Sequence, residues 1–192
     1  MLRRGATGGG ALAAGALVAS LAPAENAIAA AAPEGTASLA QALQTEQLIV
    51  IAYRQVVASP VLKPPVRQQL QMMLGQELRH MALLAHVLGA RGQSAPSPPS
   101  LAAAQRMLIS KNVHWSLTHL TNQHDCLKLL VDVESLVENA YFEAIGSVAD
   151  ATLVRMCAEI MGCEAQHWTI LSGLLNHRDP KKAVPYPFVE GA

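Results

Sequence analysis

Apolar side chains recur in alternating steps of four and three along four stretches of this 192-residue chain. The first stretch reads Leu39, Leu43, Glu46, Val50, Tyr53, Val57, and the second Val66, Leu70, Met73, Glu77, His80, Leu84, Val87. The third reads Leu127, Leu130, Glu134, Val137, Tyr141, Ile145, Val148, and the fourth Leu153, Cys157, Ile160, Glu164, His167, Leu171, Leu174. This rhythm predicts amphipathic helices packed side by side. Each has a glutamate near its middle, on the face that should be dry.

Local signals set the expected boundaries. Ser38-Leu-Ala-Gln41 has the form of a capping box opening a helix that runs to about Ala58. Ser59 to Pro64 turns the chain, and Pro64 and Pro65 suit the first turn of a second helix ending at Leu88, before Gly89 and Gly92. Gly92 to Ser100 is small, polar and proline-rich, and opens a connection of about thirty residues in which Leu101 to Ile109 fits a short helix. The third long helix is expected to begin after Thr121 or Asn122 and reach about Val148; the fourth starts at an Asp150 cap and ends around His177. Short, long, short connections imply an all-α fold of two antiparallel helix hairpins joined by a long crossover, the ferritin-like form of a four-helix bundle.

The two hairpins repeat one pattern. Glu46, Leu48, Ala52 and Tyr53 match Glu134, Leu136, Ala140 and Tyr141 at identical offsets. Gly75-Gln-Glu77-Leu-Arg-His80 matches Gly162-Cys-Glu164-Ala-Gln-His167, and the register continues ungapped through Leu84/Leu171, Leu88/Leu175 and Arg91/Arg178. Each repeat thus carries a Glu followed about thirty residues later by Glu-x-x-His.

Burying one unpaired carboxylate costs on the order of several kcal/mol, so four at one level of a marginally stable bundle require neutralisation. No Lys or Arg falls on these seams. Two divalent cations balance four carboxylates and accept two neutral imidazoles. Glu and His at i and i+3 share a helix face, so each Glu-x-x-His can serve one metal while Glu46 and Glu134 cap or bridge. Mixed carboxylate and imidazole donors suit iron or manganese. Glu138, one turn beyond Glu134, is either a further metal ligand or a surface residue. Tyr53 and Tyr141 either hydrogen-bond to ligating carboxylates or simply pack in the core. His86, His114, His119, His124 and His177 lack a partner motif and are expected at the surface or at helix ends.

Composition refines the picture. With 51% apolar residues and a formal net charge of zero, the chain can bury a core and has no basic stripe for nucleic acid. Arg3-Arg4 followed by an apolar, Gly/Ala-rich stretch from about Ala11 to Ala22 reads as a signal peptide over residues 1–30, and hence as an exported protein, periplasmic or extracellular. Cleavage fits after Ala24 or after Ala29, and export fits either the twin-arginine or the ordinary secretory route. No segment is long enough to span a membrane. The remaining divisions are a four-helix domain over 36–178 and a proline-rich tail over 179–192, extended and docked by Tyr186 and Phe188. Cys126, Cys157 and Cys163 form no Cys-x-x-Cys pair and read as small buried hydrophobes.

Glu46, Glu77-x-x-His80, Glu134 and Glu164-x-x-His167, together with the Pro-Tyr-Pro-Phe ending, resemble the exported bacterial proteins of the ferritin-like superfamily. The resemblance spans about Ser38 to His177 and implies a di-iron or di-manganese centre reacting with oxygen or peroxide in protection against oxidative damage. Relatives include ferroxidases, peroxide-reducing rubrerythrins, manganese catalases and hydroxylases, so the reaction stays open. A slow ferroxidase-like metal scavenger and a structural bundle with a vestigial site are the other readings. Without a rubredoxin module, a peroxidase here needs an external electron donor. The proline-rich tail replaces the fifth helix of a storage ferritin, which argues against a mineral cage. A homodimer is compatible with the same resemblance.

Overall fold

The computed structural model describes residues 35–176, and consists there of five helices: α1 (Thr36–Ala58), α2 (Pro64–Ala90), α3 (Leu101–Ser110), α4 (Gln123–Ser147) and α5 (Ala151–Leu175). The signal segment with its cleavage sites, His177 and the tail with Tyr186 and Phe188 lie outside the described residues. The expected third and fourth long helices are α4 and α5. The helix expected inside the crossover is α3, which packs against α1.

The ends of the helices follow from their flanking residues, with one correction. Ser38 does not cap α1. The helix begins two residues earlier, behind Gly35 at φ 87°, a left-handed conformation that glycine adopts without strain. A Cβ at Gly35 would meet Val148 Cγ2 at 2.8 Å, so the same glycine brings the start of α1 onto the end of α4. Ser38 Oγ instead accepts a hydrogen bond from Ser147 Oγ at 2.7 Å. At the other end of α1, the Arg67 guanidinium donates to the carbonyls of Val57 and Ser59, which the helix itself leaves without partners.

Pro64 and Pro65 open α2 as expected. The helix runs two residues past Leu88, and Gly92, at φ 72°, ends it while the Gln93 N–H returns to the Leu88 carbonyl at 2.9 Å. Asn122 caps α4 by accepting from the Asp125 N–H. Asp150 caps α5 by accepting from the N–H groups of Thr152 and Leu153, and its other oxygen pairs with Arg91 Nη2 at 2.6 Å. That pair ties the end of α2 to the start of α5.

Packing is uneven around the bundle. α1 lies against α2 and α4, and α4 against α5, whereas α2 and α5 make no comparable backbone approach. The expected seams are buried through their middles. Towards the helix ends they slip by one residue, Val56 and Ala144 being fully enclosed where Val57 and Ile145 are half-buried. The slip falls at the same offset after Tyr53 and Tyr141. Cys126 and Cys157 are buried free thiols, as expected; Cys163 is half-buried, at the margin between α2 and α5.

Candidate metal centre

Halfway along the bundle, α1 supplies Glu46, α2 Glu77 and His80, α4 Glu134, and α5 Glu164 and His167. All four glutamates are fully buried and His167 nearly so. His80 is the most open of the six, its side chain 13% exposed against 3% for His167.

Their donor atoms fall into two overlapping groups. One comprises Glu46, Glu77, His80 and Glu164, the other Glu77, Glu134, Glu164 and His167, and within each group the atoms lie within 4.8 Å of one another. Glu77 and Glu164 belong to both. The shared pair is therefore the two glutamates of the Glu-x-x-His motifs, while Glu46 and Glu134 each serve one group.

The imidazoles turn Nδ1 inward. His80 Nδ1 is 2.7 Å from Glu164 Oε1, 3.6 Å from Glu77 Oε2 and 3.9 Å from Glu46 Oε1. His167 Nδ1 is 2.6 Å from Glu77 Oε1, 3.2 Å from Glu164 Oε2 and 3.5 Å from Glu134 Oε1. The rings stack with centroids 6.4 Å apart. Several of these approaches are close without being aligned as hydrogen bonds. Both oxygens of Glu77, Oε2 of Glu46 and Glu134, Oε1 of Glu164 and Nδ1 of His80 have no aligned partner.

Electrostatics express the same crowding. Burial, followed by the charges of Glu164 and Glu77, raises the Glu46 carboxyl well above its ordinary range. Burial also raises Glu134, outweighing its contact with His167. Burial pushes Glu164 upward too, but the two imidazoles beside it reverse the shift and leave it lowered. Burial alone would depress the imidazoles. Their carboxylate neighbours win, taking His80 to about 11 and His167 higher still. Among the described residues no Lys or Arg pairs with the cluster, so two protonated histidines are its only internal cations.

The tyrosines connect one hairpin to the other. Tyr53 of α1 donates to Glu134 Oε1 on α4, and Tyr141 of α4 donates to Glu46 Oε1 on α1. Their hydroxyls orient the two outer carboxylates. Glu138 stands outside both donor groups, half-buried, with Oε1 enclosed and unpartnered. His86, His114, His119 and His124 are exposed, as expected. Gln76 escaped the sequence reading: its Oε1 lies 2.7 Å from His167 Nε2. The available signal was the repeat, which aligns Gln76 with Cys163 directly ahead of the two motif glutamates.

The donor set fits divalent metal. Six side chains converge from four helices, five of them with at least one buried oxygen or nitrogen that has no aligned partner, and there is no thiolate among them. A helical bundle with this interior belongs to the class of carboxylate-histidine bundle proteins. The ferritin-like domain family matches residues 35–177, and the chain belongs to that family. It is also similar to the crystal structure of a conserved hypothetical protein, rv2844, from Mycobacterium tuberculosis, at 18% identity and a TM-score of 0.61, over 85% of this chain and 99% of that one. That likeness concerns the fold. No functionally curated protein matches.

Proposed function

We propose that the cluster is a dinuclear centre holding two ions of iron or manganese, and that the protein is an exported oxidoreductase acting on oxygen or peroxide. The observation that carries this reading is the pair of four-donor groups sharing Glu77 and Glu164. Two separate sites would not share donors, and a stability-driven core would not assemble four carboxylates against two imidazoles with no Lys or Arg. In this reading Glu77 and Glu164 would serve both ions, Glu46 and His80 would complete the donor set of one, and Glu134 and His167 that of the other. A redox-active ion pair would supply electron transfer and Lewis acidity. The chain's own contribution is to hold the donors inward, orient Glu46 and Glu134 through the two tyrosines, and exclude bulk water with the apolar layers above and below.

The leader-like sequence over residues 1–30 supports export, and no helix among the described residues is long and apolar enough to cross a membrane. Protein isolated from the export compartment of a cell producing the full chain is expected to contain two iron or manganese ions per chain and to consume peroxide or oxygen. Two ions without turnover would favour the scavenger reading, and protein whose stability is unchanged by chelation would favour the vestigial one. Mass analysis of its N-terminus tests the leader independently, with residue 25 or 30 expected first.

A further inference from the structure

Gln76 and Cys163 occupy the same place in the duplicated motif, yet both converge on a single imidazole. Gln76 Oε1 is 2.7 Å from His167 Nε2, and Cys163 Sγ is 3.7 Å from the same nitrogen. Among the described residues no side chain hydrogen-bonds Nε2 of His80. The three groups wall a cavity of about 160 Å³ between α2 and α5, the side on which the bundle packs least closely.

A carboxamide oxygen has no proton to give, so the short contact requires His167 to donate from Nε2. An imidazole whose Nε2 proton is held by a fixed acceptor keeps Nδ1 as its free donor for a cation. His167 Nδ1 faces Glu77, Glu164 and Glu134, so when a cation displaces the Nδ1 proton the Gln76 bond keeps the other proton on Nε2 and holds the ring's rotation. Among the described residues His80 has no such restraint on Nε2, and it is the more exposed ring. Its Nδ1 also faces the carboxylates, but with Nε2 unheld the ring is fixed from one side alone and must be ordered further during binding, a cost that His167 avoids.

We infer that Gln76 is a positioning residue for His167, and that the half of the centre built from Glu134 and His167 therefore binds its cation first and more tightly than the half built from Glu46 and His80. The inference rests on the dinuclear reading, and its test separates the two. Metal-free full-length protein is titrated with Co²⁺, followed by calorimetry and by the visible absorption of the bound ion. The wild type is expected to take up two ions in distinct steps. Gln76→Met, of similar shape but without the acceptor, should weaken the tighter step roughly 10–100-fold, as loss of a group supporting a metal-binding histidine typically does. The weaker step should stay in place.

Gln76→Glu, which restores an acceptor oxygen, should restore the separation, and Cys163→Ala should keep it. Two equal steps in the wild type, a Gln76→Met protein that titrates like the wild type, equal weakening of both steps, or merging caused by Cys163→Ala alone would overturn the inference while leaving the centre intact. Absence of Co²⁺ uptake by the wild type would overturn the dinuclear reading and this inference with it.

Discussion

The α1–α2 hairpin and the α4–α5 hairpin deliver the same three donors at the same height, but hold them in different surroundings. Val50 in the first is a buried apolar side chain, whereas its counterpart Glu138 is a half-buried acid. Gln76 in the first reaches across to His167, whereas its counterpart Cys163 turns to the imidazole of its own helix. Pro64 and Pro65 open α2 without a side-chain cap, whereas Asp150 caps α5. The lesson is a separation of constraints. Spacing along a helix fixes which donors meet, so it is duplicated faithfully, while the positions around the donors are free to diverge and make the halves unequal.

The strongest way to break the comparison is to remove donors that the hairpins share. Glu77→Ala is expected to abolish uptake of both ions, because Glu77 belongs to both donor groups, whereas Glu46→Ala should leave one ion bound by Glu134, His167 and the shared pair. Metal content per chain after dialysis separates the two outcomes. One ion retained by Glu77→Ala would show that the groups do not overlap in solution.

A pH series sharpens the same contrast. In the metal-free protein Glu46 and Glu134 have raised pKa values and keep protons that the unfolded chain loses above pH 4.5, so their contribution falls as pH rises. His80, raised to about 11, stabilises the fold fully below pH 6.5 and loses that contribution as pH climbs through 11. Both trends descend with pH. Ion uptake runs the other way, because the cations displace protons from the same donors. Melting temperatures measured from pH 6 to pH 9 should therefore fall in chelator and hold or rise with Mn²⁺. Superimposed curves would mean that no ion binds.

A smaller effect lies at the hairpin entrances. Asp150→Ala removes the cap of α5 and the ion pair with Arg91, and is expected to cost about 2 kcal/mol, roughly half from each. Burial, overcome by the Arg91 and backbone hydrogen bonds, leaves the Asp150 carboxyl lowered, so its contribution is present above pH 3.8 and fades as pH falls through the lowered value. Denaturant unfolding at pH 7 reads the difference. The corresponding start of α2 offers no side-chain cap to remove.

Much of this was legible in the sequence because helical periodicity and side-chain placement are the same fact. The seam containing Glu46, Glu77, His80, Glu134, Glu164 and His167 faces inward because a four-three rhythm leaves it no other face. The Asp150 and Asn122 caps were legible for a similarly local reason. Ser38 misled because Gly35, with its left-handed backbone and its close approach to Val148, sets the helix start through a contact with α4 that local sequence does not encode. The crossing of Tyr53 to Glu134 and of Tyr141 to Glu46 also depends on how the hairpins face each other. Gln76 went unread for the same reason: its partner is 91 positions away on another helix.

The finest test makes the two hairpins alike at Val50 and Glu138. Burial, followed by the charge of Glu164, raises Glu138 to about 7, and its Oε1 is enclosed without a partner. Replacing a buried polar group that lacks a partner by an apolar one removes a desolvation cost of about 1 kcal/mol. Glu138→Val is therefore expected to raise the melting temperature of the chelated protein by a few degrees, with the gain larger at pH 8 than at pH 5, where the carboxyl is protonated. It should leave the content of two ions unchanged if Glu138 stands outside the centre, as the donor groups place it. A loss of one ion, or a marked drop in affinity, would instead make Glu138 a seventh donor that swings inward on loading. The second hairpin would then carry a ligand for which the first, with Val50, has no equivalent.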